Sequence, residues 1–205
     1  GFVRCPPSPK GEFRRQNTVG LGGALANVAE FSAFNMTFAI AAKISLSAGA
    51  VYSMAVQPIF TCFMVFLGVA VASSVRVAEA FGRGDPVCVK HASRLGLLTF
   101  LIVGLTLAVF LVAFRGFWAS LMIAEDDALN LVPALTVVIG ISCFALVFDG
   151  LQAVGAMILR AQEVVWLSTA VQLASYMLVM VPAAWWFGYV REGGAAGVMW
   201  GVVLG

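Results

Sequence analysis

The sequence predicts an all-α fold, a polytopic bundle of six transmembrane helices in which the last span is truncated. Of its 205 residues, 61% are hydrophobic and only 11% are charged, and the mean hydropathy is +0.99. A soluble domain of this length needs far more polar surface. Long apolar stretches also alternate with short charged connections, which is the pattern of helices that cross a bilayer repeatedly.

Six apolar stretches define the predicted spans. Residues 1–18 form a polar connecting segment that precedes them. The spans cover about residues 19–42, 51–75, 95–114, 128–148, 164–190 and 193–205. The sequence starts without Met and stops inside an apolar run, so we expect it to be a fragment of a longer protein.

The basic residues lie mainly on one side of the predicted bundle. Three of the twelve, Lys43, Arg115 and Arg191, fall on the side opposite the N-terminal segment, and nine fall on the same side as it. Cytoplasmic loops are enriched in lysine and arginine. We therefore expect residues 1–18 in the cytoplasm, a plasma or bacterial inner membrane as the location, and the acidic residues 125–127 outside.

The connection between the second and third spans contains residues that end one helix and begin another. Gly82 or Gly84 can adopt the left-handed conformation that terminates a helix. Asp85 can then cap the next helix, with Pro86 at its first position. In the sixth span a glycine recurs every four residues, which predicts a smooth face for close helix packing. These glycines are Gly193, Gly197, Gly201 and Gly205.

Two acids lie within or next to apolar spans. Glu30 is in the middle of the first span, and Asp149 follows the fourth and precedes ten more uncharged residues. A carboxylate at that depth is costly unless it is paired, protonated or bound to a cation. Two acids on separate helices favour a proton or cation site, with Na⁺ as the metal if a metal is bound. The alternative is that each acid only joins helices through hydrogen bonds.

Other polar and aromatic residues are candidates for lining a cavity beside these acids. Some share a helix face with an acid at three- or four-residue spacing, and some form a polar stripe on the fifth span. The candidates are Asn27, Phe34, Gln57, Gln152, Gln172 and Tyr176. For the polar members of this set, hydrogen bonding between helices is an equally good interpretation.

Several function classes lack their sequence patterns. There is no HExxH, GxSxG or GxxxxGK[ST] motif, and His91 falls outside the predicted spans. The four cysteines are scattered, without a CxxC pair. The sequence therefore predicts a non-enzymatic protein without a resident cofactor, and a lipid rather than a nucleic-acid environment.

Three stretches together resemble the MATE (multidrug and toxin extrusion) family, specifically its C-terminal half. Residues 29–34 (AEFSAF) are similar to the pattern around the acid of the family's seventh span. Residues 72–86 (ASSVRVAEAFGRGDP) are similar to its A-x-S-V-R-V-G-x-x-L-G-x-G-[DN]-P pattern. Residues 148–152 (FDGLQ), followed by Leu159-Arg160, resemble D-G-x-Q and L-R-G at the tenth span.

The resemblance implies a transporter made of two six-helix lobes, of which this chain would be the second. It also implies exchange of Na⁺ or H⁺ for organic, often cationic, drugs or toxic metabolites. Glu30 and Asp149 match the cation-site acids of the Na⁺-coupled branch. The expected partners are membrane lipid, an organic cation and the missing N-terminal lobe.

The sequence departs from the family pattern at three places. Tyr52-Ser53 stands where many relatives have His-Gln, and Ala145 replaces a tyrosine found one turn before the tenth-span acid in some of them. Residues 161–164 replace the usual Gly-x-x-[DK]. These departures bear on the coupling ion and the substrate rather than on the fold.

Two other interpretations stay open at this stage. A lipid-linked sugar flippase of the same superfamily would carry arginines along its cavity, whereas the predicted spans lack them apart from Arg76 at an interface. A membrane scaffold or accessory subunit would use the buried acids only for packing.

Overall fold

A computed structural model of the chain describes residues 11–123 and 128–205. This part of the chain is helical, with five helices long and apolar enough to cross a membrane and a shorter apolar helix after them. The helices are α1 (Glu12–Ile44), α2 (Leu46–Gly82), α3 (Pro86–Met122), α4 (Ala128–Ala161), α5 (Val165–Val190) and α6 (Gly194–Leu204). The predicted all-α transmembrane bundle is confirmed.

Some sequence predictions fall outside the described residues. Residues 1–10 include Arg4 and Lys10 of the predicted cytoplasmic segment, and residues 124–127 include the acidic cluster. Residues 12–18 of the predicted connecting segment are helical, because α1 begins at Glu12.

The helices extend beyond the predicted spans. Helix α2 has 37 residues, a length of about 55 Å against about 30 Å for the hydrocarbon layer. Helix α4 continues through Ala161, although the sequence-based span ended at Phe148. The charge of Asp149 interrupts the apolar pattern, whereas the backbone hydrogen bonding of a helix does not depend on side-chain polarity. Asp149 therefore lies well inside a continuous helix.

A single residue connects α1 to α2. Ser45 ends α1, and its hydroxyl oxygen accepts a hydrogen bond of 3.0 Å from the N–H of Ala48 at the start of α2. Further along, the hydroxyl groups of Thr37 and Tyr52 are 2.6 Å apart and both side chains are buried. This contact fixes α1 against α2 at Tyr52, one of the positions where the sequence departs from the family pattern that it resembles.

The connection between α2 and α3 has the predicted cap structure. Gly84 adopts φ +70°. Its N–H donates a hydrogen bond to the carbonyl oxygen of Phe81, and the N–H of Asp85 donates one to the carbonyl oxygen of Ala80. The Asp85 carboxylate accepts hydrogen bonds from the N–H groups of Val87 and Cys88, each 3.0 Å long. Of the two glycines proposed for the left-handed cap, Gly84 is therefore the one that adopts it. The hydrogen bond from the Cys88 N–H is the main cause of the lowered pKa of Asp85.

Replacing Gly84 by alanine tests this cap. A Cβ at positive φ costs about 1 kcal/mol, so Gly84→Ala should lower the apparent melting temperature of the detergent-solubilised protein. Gly82→Ala is the matched control, because Gly82 ends α2 and a Cβ there meets nothing within 4 Å. Equal melting temperatures for the two variants would contradict the assignment.

Helices α2, α3 and α4 pack against one another in all three pairs. At their centre the rings of Phe66 and Phe100 meet edge to face, with centroids 4.9 Å apart. A Cβ on Gly150 of α4 would lie 2.5 Å from the Phe100 ring and 2.6 Å from the Phe66 ring. Only glycine allows this approach, and it places the preceding residue, Asp149, beside a tightly packed helix junction.

The glycine stripe of α6 packs against α5, as the sequence predicts. A Cβ on Gly197 would collide with the backbone of Phe187, and one on Gly201 would collide with the backbone of Ala184. Gly205 makes the same kind of approach to Met180. The small residues therefore let the backbones of the two helices touch.

Candidate functional site

Tyr176 joins α5 to the acid of α4. Its hydroxyl oxygen is 3.4 Å from Asp149 Oδ1 and 3.4 Å from Gln152 Oε1. The phenol is 3% exposed. Because a hydroxyl has one proton to donate, it can bond to one of these two oxygens at a time. The three side chains therefore form a small oxygen cluster between two helices.

Tyr176 lies in a segment where α5 changes from an α-helix to a π-helix. Residues Ser175–Met180 are π-helical, and a second π-helical segment covers Trp186–Val190. Pro182, between the two segments, lacks the N–H that an α-helix would use at that position. Single π-helical turns inside α-helices occur often at functional sites.

Glu30 approaches the same region from α1. Its side chain is half-buried, and the alanines on its flanks, Ala29 and Ala33, are buried against the neighbouring helices. Glu30 lies within electrostatic range of Asp149 and of Arg160. The two acids that the sequence singled out are thus brought into one neighbourhood from separate helices.

A cavity of about 330 Å³ opens beside Asp149. Phe34, Gln152 and Tyr176 line it with the acid, and Ser175 together with apolar residues of α4, α5 and α6 completes the wall. Three of the six residues proposed from the sequence as cavity lining therefore surround a common space with Asp149.

The other three proposed lining residues have different surroundings. Asn27 and Gln57 are exposed on α1 and α2, and neither is among the residues around this cavity. The buried edge of α1 runs through Ala26, Ala29 and Ala33 instead. Gln172 is buried but points to a different partner.

That partner is Arg160, a member of the site that the sequence analysis did not select. Arg160 Nη2 donates a hydrogen bond of 3.0 Å to Gln172 Oε1. Its Nε is buried without a hydrogen-bond partner among the described residues. The sequence does contain a signal for this placement: Arg160 is eleven residues after Asp149, about three helical turns, and so lies on the same face of α4.

The predicted polar stripe of α5 joins it to its neighbours. Thr169 Oγ1 donates to the carbonyl oxygen of Gly22 in α1 at 3.0 Å, and this contact is buried. Gln172 and Tyr176 bond to residues of α4. Polar side chains in an apolar environment commonly join helices in this way. For Gln172 the interhelical interpretation is therefore the one supported.

The donor atoms of the cluster are carboxylate, amide and hydroxyl oxygens. Such oxygens suit hard cations or a proton rather than soft transition metals. Within the described residues, no group of three or more His, Cys, Asp or Glu side chains could hold a metal ion. Oxygen donors of this kind can hold a proton or a hard cation.

Comparison with known proteins assigns the family. A model of the MatE family matches residues 24–186. The chain belongs to the MatE family. The matched region includes Glu30, Asp149 and Tyr176, and the assignment confirms the resemblance found from the three sequence motifs.

MatE relatives with similar sequences come from several bacteria. The chain is 33% identical over 190 residues to "Probable multidrug resistance protein NorM" of Caulobacter vibrioides, which covers 92% of this chain and 40% of that protein. It is 31% identical over 192 residues to the protein of the same name from Rhizobium meliloti. That match covers 91% of this chain and 40% of that protein. The chain thus spans about two fifths of the length of these relatives.

Solved MATE structures share the fold. An outward-facing multidrug resistance MATE family transporter superposes with a TM-score of 0.86 at 18% identity, over 100% of this chain and 45% of that one. An inward-facing structure gives a TM-score of 0.79 at 18% identity, over 90% and 42%. At this identity the likeness establishes the MatE fold alone.

Removing the Tyr176 hydroxyl tests the link between α5 and α4. Tyr176→Phe should destabilise the protein by about 0.6 kcal/mol, the average for a hydrogen bond between transmembrane helices, as measured by thermal unfolding in detergent. Tyr189→Phe is the control on the same helix, since its ring is exposed and stacks beside Trp185. Equal losses in the two variants would contradict the proposed link.

Proposed function

We propose that this chain is the C-terminal lobe of a cation-coupled antiporter that exports organic drugs or toxic metabolites, cationic ones in particular. The observation that carries the proposal is the approach of Glu30 and Asp149 from separate transmembrane helices, with a cavity and oxygen donors beside Asp149. Membership of the MatE family supports it. In this proposal residues 1–18 are cytoplasmic and the location is a plasma or bacterial inner membrane.

The charges around the site favour a monovalent ion. Glu30 and Asp149 contribute two negative charges when ionised, and Arg160 contributes one positive charge. One Na⁺ or one proton would balance the remaining negative charge. Because an uncompensated charge at this depth is costly, occupancy of the site by the cation stabilises one arrangement of the helices over another.

The mechanism is alternating access. The coupling cation binds Glu30 and Asp149 from outside, and the organic substrate occupies the space between this lobe and an N-terminal lobe. The two ligands favour different conformations, so binding of one promotes release of the other. Two similar MATE transporters have been solved in an outward-facing and an inward-facing conformation.

The flippase alternative has less support. A lipid-linked sugar carries a pyrophosphate, which arginines along a cavity would bind. In the described residues, Arg160 bonds to Gln172 and is not part of the wall of the cavity beside Asp149. The scaffold alternative, in which the protein transports nothing and the acids only pack, predicts no efflux above background in cells that express the protein, and the next experiment distinguishes it.

Neutral, isosteric substitutions of the acids test the proposal. In cells that express the whole transporter, Glu30→Gln and Asp149→Asn should each reduce efflux of a fluorescent organic cation by roughly tenfold, a coupling free energy of ~1.4 kcal/mol. Glu192→Gln is the control, because this acid is exposed between α5 and α6. Efflux equal to wild type in both acid variants, at equal expression, would refute the assignment of the site.

The coupling ion can be identified in proteoliposomes. A Na⁺ gradient at constant pH and a pH gradient without Na⁺ are applied separately, and uptake of the organic cation is recorded. We expect one of the two gradients to drive transport in the wild type and neither to do so in Glu30→Gln. A Glu30→Gln protein that responds to the same gradient as wild type would show that coupling occurs elsewhere.

A further inference from the structure

A second cavity, of about 770 Å³, lies between α2 and α3 and is separate from the site around Asp149. One end is apolar and the other carries charged and polar side chains. The apolar end is lined mainly by Val65, Gly68, Val69, Ala72 and Leu95, with Gly96 and the hydroxyl-bearing Ser73 and Thr99 beside them, and the polar end by Arg76, Glu79, Arg83, Cys88 and His91. We refer to these residues as the α2–α3 groove.

We propose that the α2–α3 groove binds an anionic phospholipid, with the phosphate at Arg76 and an acyl chain along the apolar end. A lipid has the same division into a charged head and an apolar chain as the groove. The proposal goes beyond the transport function and does not depend on it.

The length of the groove matches one leaflet. Val65 and Arg76 are eleven residues apart on one continuous helix, which corresponds to about 16 Å. Half of the hydrocarbon layer is about 15 Å thick. An acyl chain that starts at Arg76 and follows α2 would therefore reach Val65 near the middle of the bilayer.

The charge at the polar end favours an anion. Arg83 forms an ion pair of 3.4 Å with Glu79, and both side chains are more than half exposed. Arg76 is exposed, and no acid of the described residues forms an ion pair with it. The guanidinium of Arg76 is thus available for a phosphate, which it can bind through two N–H groups at once.

Glycine keeps the apolar end open. A Cβ built on Gly68 meets nothing within 4 Å, so a larger side chain at this position would extend into the groove without displacing a neighbour. On the opposite wall Gly96 packs closely against Ser73. A Cβ added to Gly96 would lie only 2.6 Å from Ser73 Oγ. The two helices are therefore in contact at Gly96 and apart at Gly68, which gives the groove its depth.

Binding can be measured by native mass spectrometry of the purified protein, titrated with phosphatidylglycerol. Arg76→Ala should weaken binding by roughly fivefold, the effect of one arginine at an anionic surface, and Arg76→Lys should restore most of it. Gly68→Leu should abolish binding by filling the apolar end. Gly116→Leu is the matched control, because Gly116 is an exposed glycine of α3 outside the groove where a Cβ also meets nothing within 4 Å.

Two further ligands identify the chemistry. Phosphatidylcholine should bind the wild type more weakly than phosphatidylglycerol, and inorganic phosphate alone should not compete. Competition by inorganic phosphate would show a simple anion site and overturn the lipid assignment. Equal binding of phosphatidylglycerol by wild type, Arg76→Ala and Gly68→Leu would overturn the location. Helical circular dichroism of each variant confirms that the comparison is between folded proteins.

Discussion

The need to provide polar partners for carboxyl groups inside apolar helices governs this structure. The Tyr176 hydroxyl lies 3.4 Å from Asp149 and 3.4 Å from the amide oxygen of Gln152 on the same helix, and this phenol is available only because α5 lies beside α4. Gly150 lets α4 approach the Phe66–Phe100 pair, which holds the acid at a fixed place in the bundle. The packing of the core and the chemistry of the site therefore depend on neighbouring residues of one helix.

The sequence was sufficient to predict the class of fold and the two acids. Composition and long apolar stretches indicated the helices, and the pairing of Glu30 with Asp149 followed from two charges in otherwise uncharged spans. The cap at Gly84 and Asp85 could also be predicted, since left-handed backbone and helix capping are local properties of these residue types. Whether the two acids bind the coupling ion stays a prediction.

Other features depend on contacts that sequence patterns do not reveal. The fourth predicted span stops at Phe148 because hydropathy records side-chain polarity, whereas α4 itself continues by backbone hydrogen bonding through Ala161. The hydrogen bond from the Arg160 guanidinium to Gln172 could not be predicted, because it joins side chains of two different helices. The exposure of Asn27 depends on the rotation of α1, which is set by the alanines packed against its neighbours.

The π-helical segments of α5 keep its buried face straight. From Gln172 to Gly188 a buried residue recurs every fourth position, whereas in a pure α-helix every fourth residue drifts by about 40° around the axis. The wider π turns rotate less per residue and offset this drift. The same buried face of α5 therefore places Tyr176 beside Asp149 and Ala184 beside Gly201. Deleting one residue from Ser175–Met180 would break this alignment, so the length of α5 is as tightly constrained as its composition.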